Sequence, residues 1–159
     1  DAFFGGICDI RGEELCPDLP ALRDLRVTLL ATSFKDMMDI PATHRWLSEN
    51  DVPVFGAGTD RNTGYLFSGV DLPVTPMPEN FRPEVKCLLL NAIPTEERIR
   101  DLSLLEMGIA EGKMAEARGG YYHPAANAAF DRMTAGASSR MQLRSLIANV
   151  LLAQKLTKA

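Results

Sequence analysis

The sequence has few of the residues that mark several common kinds of site. Its 159 residues include three cysteines and two histidines. Cys8, Cys16 and Cys87 are odd in number and have no Cys-x-x-Cys spacing, which argues against a disulfide framework and against a zinc site. The sequence also has no Walker-type phosphate loop, no Gly-x-Ser-x-Gly and no His-x-x-x-His pair. We expect reduced cysteines that act mainly as small apolar fillers, and His44 as a residue on a helix face.

The sequence also lacks an excess of basic residues and a long apolar run. Its net charge is −4 and its pI is about 5.2, which gives no basic surface for a nucleic acid polymer or an anionic membrane. No window approaches the roughly 18 apolar residues of a spanning helix, and the sequence does not begin with a basic and then apolar leader. We therefore expect a cytoplasmic protein with a single domain over residues 1–159.

Short apolar runs alternate with segments of helical periodicity. Strands are predicted near 27–31, 52–56 and 85–90, and helices near 36–49, 95–118, 125–134 and 139–156. Such alternation predicts a three-layer α/β/α sandwich with a mostly parallel sheet. So few strands would leave the sheet incomplete, with exposed edges or apolar faces, and therefore favour an oligomer.

Lys35 directly follows the first predicted strand, at the end where α/β proteins usually bind ligands. By itself such a lysine is more often a solvated surface residue. However, the run LATSFKDMMDIPATHRWLSENDVPVFGAGTD at residues 30–60 resembles the pseudouridine-5'-phosphate glycosidase (indigoidine synthase A-like) family. The two share the lysine, Asp-Ile-Pro, Val-Pro-Val and Gly-x-Gly-Thr-Asp. The resemblance implies a C-glycosidase that releases uracil and ribose 5-phosphate, with Lys35 forming a Schiff base at the anomeric carbon.

The chemistry is consistent with a lysine. A carbon–carbon glycosidic bond has no basic oxygen to protonate, so an iminium on the opened sugar supplies the electron sink that expulsion of uracil requires. Lysine attacks only as the neutral amine. Phe34, Met37 and Met38 are predicted to provide an apolar surrounding for it.

The resemblance implies roles for five further residues. Asp18 precedes Lys35 by 17 positions, as the metal-binding aspartate of the family does, which implies Mn²⁺ or another divalent cation held by one carboxylate and waters. Alternatively, Asp18 is simply a helix N-cap. Implied substrate contacts come from Asn91, Gln142, Thr59 and Asp60. Asn91 could instead bond turn backbone, which is the ordinary role of such a residue.

The likeness covers all 159 residues but only the C-terminal half, or slightly more, of a typical family member. The N-terminal part of the family normally supplies a catalytic glutamate and a second lysine. In addition, Cys8 and Cys16 stand opposite a histidine and a serine of the family. Two functions therefore remain open: a C-glycosidase with its other groups supplied elsewhere, and a catalytically lost homologue that acts as a binding or assembly module. Expected partners are a small phosphorylated nucleoside or sugar, and further copies in a trimer or a second chain supplying the N-terminal half.

Overall fold

The computed structural model describes residues 2–4, 10–12, 14–83 and 85–158. It contains seven short strands within these ranges: β1 Ala2–Phe4, β2 Thr28–Ala31, β3 Val54–Gly56, β4 Arg61–Asn62, β5 Leu72–Pro73, β6 Thr75–Pro76 and β7 Cys87–Leu90. Five of them form a parallel sheet in the order β1-β2-β7-β3-β6, and β4 pairs with β5 antiparallel.

Five α-helices and one 3-10 turn accompany the strands in the same ranges. They are α1 Asp18–Asp24, α2 Ile40–Glu49, α3 Leu102–Ala117, α4 Tyr122–Met133 and α5 Ala137–Lys158, with the 3-10 turn at Thr95–Glu97. Among the described residues, no helix is both long and apolar enough to cross a bilayer.

Helices cover both faces of the sheet, so the predicted three-layer α/β/α sandwich is confirmed. The central strands β2 and β7 are buried along their whole length, as expected for parallel strands with both faces covered. On one face, α1 and α2 pack through Leu19 and Leu47 against Leu88. On the other face, α5 packs through Ala153 against Leu89. The three predicted strands are present, and β1 and β6, which are too short to give a sequence pattern, extend the sheet.

Several predicted boundaries are wrong, and local hydrogen bonds explain the two clearest cases. Helix α2 begins at Ile40 instead of 36, because the Asp39 carboxylate accepts a hydrogen bond from the Ala42 amide at 2.9 Å. Residues 95–118 do not form one helix, since α3 starts only after Asp101, which caps it by accepting from the Ser103 amide. In addition, α4 starts at Tyr122 and α5 extends over 137–158, and the short strands β4, β5 and β6 lie between β3 and β7, where no strand was predicted.

The contact between α3 and α4 depends on two glycines. Gly108 and Gly112 are the buried positions of α3, whereas the large apolar residues Leu102, Met107 and Met114 are exposed. A Cβ on Gly112 would lie 2.7 Å from the Tyr122 ring, and one on Gly108 would overlap the Phe130 ring. The glycines that weaken an isolated helix are therefore the positions that let α4 approach.

Helix α5 leaves many of its large apolar side chains on the surface. Its buried residues are small or polar, namely Ser138, Ser145, Asn149 and Ala153. Leu152 and Leu156 pack partly against the core, but the exposed fraction of Leu143 is 59%. The expected apolar surface is thus present, but it lies on α5.

The cysteine predictions are confirmed where they can be checked. Cys87 is fully buried in the sheet, and neither Cys87 nor Cys16 forms a disulfide. Burial raises the pKa of the Cys87 thiol. Cys8 lies outside the described residues.

Gly108→Ala should destabilise the protein. The added methyl group overlaps the buried Phe130 ring, and overpacking of this kind costs about 1–3 kcal/mol, against a gain of about 1 kcal/mol in helix propensity. Urea denaturation should therefore show a lower free energy of unfolding. Gly69→Ala is the matched control, because a Cβ there meets nothing within 4 Å. Equal stability of the two variants would contradict the packing argument.

Candidate active site at the end of strand β2

A cavity of about 360 Å³ lies where β2 ends. The loop after β2, the segment around Tyr65, and helices α4 and α5 form its walls. Its lining residues are Thr32, Ser33, Lys35, Asp36, Met37, Tyr65, Leu66, His123, Asn127, Phe130, Gln142, Leu143, Ser145, Leu146 and Asn149. Of the residues that the sequence analysis proposed for the site, Lys35 and Gln142 line this cavity.

Lys35 is half-buried, and part of its predicted apolar surrounding is present. Met37 is buried and lines the cavity beside it. Met38 packs against the cluster that contains Leu66. Phe34, in contrast, is fully buried in the core between the sheet and α2, and does not line the cavity.

Asp36 connects the loop that carries Lys35 to the backbone of residues 65–67. Its carboxylate accepts three backbone N–H bonds, from Tyr65 at 2.8 Å, Leu66 at 2.7 Å and Phe67 at 2.9 Å. Gly64 has a φ of +116°, and a Cβ there would overlap the Phe67 carbonyl and lie 3.1 Å from Asp36 Oδ1. Both carboxylate oxygens therefore accept structural hydrogen bonds, and these bonds fix the position of Asp36, the residue next to Lys35.

Burial dominates the titration of this carboxyl. It raises the pKa of Asp36 to about 6, although the three N–H bonds and the nearby charge of Arg98 act in the opposite direction.

Arg98 stabilises the same region through hydrogen bonds to Ile93 and Thr63. It is buried, and its guanidinium donates to the Ile93 carbonyl at 2.7 and 3.0 Å and to Thr63 Oγ1 at 2.8 Å. Burial lowers the pKa of Arg98, and the Asp36 charge opposes that change. The segments on either side of Asp36 are thus held by one buried cation and one largely buried carboxyl.

An amide chain connects α5 to the ends of the central strands. Asn149 Nδ2 donates to Thr32 Oγ1, and Asn91 Nδ2 donates to Asn149 Oδ1, both at 3.0 Å. The side chain of Asn91 therefore bonds α5, and it does not line the cavity. Asn91 instead contacts Asn149, and it is the Asn149 side chain that lines the cavity.

Thr59, Asp60 and Asp18 are not brought into this cavity. Thr59 lies in the turn after β3, where its hydroxyl bonds the backbone of Arg61, and Asp60 is exposed. Asp18 is the exposed first residue of α1, and Pro17 occupies the N-cap position that the sequence analysis considered for it.

Asp18 offers one carboxylate to a metal ion. Among the described residues, no group of three or more His, Cys, Asp or Glu side chains could hold a metal. The surroundings of Asp18 thus do not form a cage of the kind that binds a divalent cation tightly, and the metal role of Asp18 stays a prediction.

The sequence analysis missed the contribution of α4. His123 and Asn127, four residues apart on one helix face, line the cavity opposite the lysine loop, with Asn127 Nδ2 and His123 Nε2 3.0 Å apart. The Tyr122 hydroxyl donates to the Met37 carbonyl at 2.8 Å and so fixes α4 against that loop. The His-x-x-x-Asn spacing was a visible signal, but only the fold shows that it faces Lys35.

No protein-family model matches this sequence, and no curated protein matches it at a significant level. Solved structures do resemble its fold. One is the prealnumycin C-glycosynthase AlnA in complex with ribulose 5-phosphate, with 23% identity, a TM-score of 0.72 and coverage of 93% of this chain. Another is an indigoidine synthase A-like protein from Thermotoga maritima, with 20% identity, a TM-score of 0.79 and coverage of 98%. The chain spans 57% of the length of each. At these identities the likeness establishes the fold.

Asp36→Asn should change how stability depends on pH. The pKa of Asp36 is about 6 in the fold and 3.8 in the unfolded chain, so its contribution is fully present below pH 3.8 and is lost as the pH rises through 6. The loss amounts to at most about 3 kcal/mol. Urea denaturation of both proteins from pH 4 to pH 8 isolates this component as their difference.

Asp71→Asn is the matched control for this measurement. Hydrogen bonding to Arg61 lowers the pKa of the exposed Asp71, so its contribution has the opposite sign and is lost as the pH falls. A flat difference curve for Asp36→Asn between pH 4 and 7 would contradict the burial of its carboxyl.

If Asp18 binds Mn²⁺, binding should be weak, because a single exposed carboxylate provides little charge and no cage. Paramagnetic broadening of amide signals near α1 should appear at millimolar Mn²⁺ and disappear in Asp18→Asn. Asp24→Asn, on the same helix, should leave it intact. Unchanged broadening in Asp18→Asn would assign the ion to other residues.

Proposed function

We propose that this chain binds a phosphorylated five-carbon sugar in the β2 cavity and forms a Schiff base through Lys35, as the lysine-bearing part of a C-glycosidase acting on pseudouridine 5'-phosphate. The observation that carries the proposal is the position of Lys35. It lines a cavity at the carboxyl end of a central parallel strand, where α/β folds bind ligands. A protein of similar fold, AlnA, has been crystallised with ribulose 5-phosphate.

The cavity suits a small polar ligand. Its volume of about 360 Å³ falls within the usual range for small-molecule sites. Thr32, Ser33, Asn127, Gln142 and Ser145 bring neutral hydrogen-bonding groups to its wall, which suit sugar hydroxyls and phosphate oxygens. Met37, Phe130 and Leu146 supply apolar surface, which can contact the carbon skeleton of a small ligand.

Sugar binding and full turnover make different demands. A Schiff base requires an amine and a held aldehyde, whereas cleavage of the C-glycosidic bond also requires proton transfer to the leaving base. We propose that groups outside these 159 residues contribute to turnover, in a trimer of this chain or through a second chain supplying the N-terminal half.

The second candidate function is a binding or assembly module that has lost catalysis. The exposed apolar side chains of α5 favour it: Leu143, Leu146, Ile147, Val150 and Leu151 lie at a helical spacing on the surface, and Leu143 and Leu146 reach the cavity wall. The chain also spans only 57% of each structure that it resembles. Both observations suit a subunit completed by another polypeptide.

Borohydride trapping tests the Schiff base directly. Incubation of the chain with ribose 5-phosphate and borohydride should add one reduced sugar phosphate, and peptide mass spectrometry should place it on Lys35. Lys35→Ala should lose the adduct. Lys113→Ala is the matched control, since Lys113 is exposed on α3 away from the cavity, and it should retain the adduct.

The same samples separate the two functions. We expect the chain alone to release uracil from pseudouridine 5'-phosphate at least 100-fold more slowly than it forms the adduct. Robust uracil release would show that no further groups are required. The absence of any adduct on Lys35 would overturn the Schiff-base proposal and leave the binding module as the better account.

A further inference from the structure

His123 occupies the wall of the cavity that faces Lys35. It lies in the first turn of α4 and is half-buried. Asn127 Nδ2 lies 3.0 Å from His123 Nε2 and donates to it in this orientation. With the amide rotated, Oδ1 accepts from Nε2–H, and Nδ1 is then the unprotonated nitrogen that can take up a proton. The ring is thus oriented through Nε2, which leaves Nδ1 as the nitrogen for proton exchange with a ligand.

The electrostatic surroundings of His123 favour its neutral form. Burial, and then the positive charge of Lys35, lower the pKa of His123 below its ordinary value. The lowered pKa favours the neutral imidazole of His123 at pH 7.

The other ionisable groups of the described cavity wall are committed elsewhere. Both oxygens of Asp36 accept backbone N–H bonds. Burial raises the pKa of Tyr65, against a hydrogen bond with Ser145, so its phenol stays protonated at neutral pH. Helix α5 contributes only neutral side chains to the cavity, including Gln142 and Asn149.

We propose that His123 is the acid–base residue for Schiff-base formation at Lys35, an inference that rests on the proposed function. The neutral Lys35 amine attacks the aldehyde carbon of the opened sugar, a C–N bond forms, and the carbonyl π pair moves to oxygen. His123 Nδ1 takes up the proton that the nitrogen loses and donates it to that oxygen. The C–O bond then breaks as the nitrogen lone pair forms C=N, and the departing hydroxide receives the remaining nitrogen proton through His123. Amine and aldehyde thus give imine and water, with no oxidant or reductant needed.

The test compares the rate of adduct formation in wild type and His123→Gln from pH 5 to pH 9. Quenching with borohydride at timed intervals, followed by mass spectrometry, gives the rate at Lys35. General acid–base catalysis by a positioned side chain contributes roughly 100-fold or more, so the variant should be slower by about that factor and lose the acid limb of the pH profile. The final extent of adduct should stay close to that of wild type. Imidazole should partly restore the rate of His123→Ala.

His44→Gln is the matched control, because His44 lies on α2 outside the cavity and contacts the Pro73 carbonyl, and it should react like wild type. Pyridoxal 5'-phosphate, whose imine is read by absorbance, provides a second aldehyde. Wild-type rates and pH profile in His123→Gln with both aldehydes would overturn the role of His123. A His123-dependent imine on Lys35 with pyridoxal 5'-phosphate but none with ribose 5-phosphate would support His123 and overturn the sugar assignment. No adduct from either aldehyde would overturn both proposals.

Discussion

The Asp36 carboxylate is the interaction on which the candidate site depends. It follows Lys35 directly and accepts the amide protons of three consecutive residues, from Tyr65 to Phe67. Such bonds cost about 1–3 kcal/mol each if a buried donor is left unpaired, so they hold the lysine loop and the facing segment as one unit. Burial destabilises the charged form of the Asp36 carboxylate, as its raised pKa indicates. The arrangement therefore gains a fixed cavity wall at a cost in stability at neutral pH.

The same region is held from two further sides by groups that do not line the cavity. Arg98 binds the Ile93 carbonyl and Thr63, and Asn91 holds Asn149 against the end of β2. Asn91 directly follows β7, and Arg98 directly follows the 3-10 turn at Thr95–Glu97. Polar side chains here first satisfy the fold. The polar groups that line the cavity include Lys35, Asp36, His123 and neutral side chains such as Gln142.

Helices α4 and α5 show how packing determines which side chains reach the cavity. Gly108 and Gly112 allow the aromatic rings of α4 to come close to α3, which places His123 and Asn127 at the cavity wall. Helix α5 turns its small and polar residues inward, because the space beside the β2 end admits serine and asparagine and demands hydrogen bonds. Its leucines are thereby left on the surface, next to the cavity opening, and this links the proposed site to the proposed partner surface.

The sequence alone predicted the α/β/α class, the three main strands and the position of Lys35, because these follow from local periodicity and from the order of elements along the chain. The family resemblance also implied a substrate contact for Gln142, which lines the cavity, and that contact stays a prediction. The sequence did not predict the helix faces: in α5 the apolar Leu143 and Ile147 are exposed, whereas neighbouring elements determined that Asn149 is buried. The grouping of Asp36, Arg98 and His123 likewise required the tertiary structure, because their contacts join residues 29 or more positions apart or depend on the packing of a whole helix. Pattern along a chain records which residues share a face, but only packing decides what that face meets.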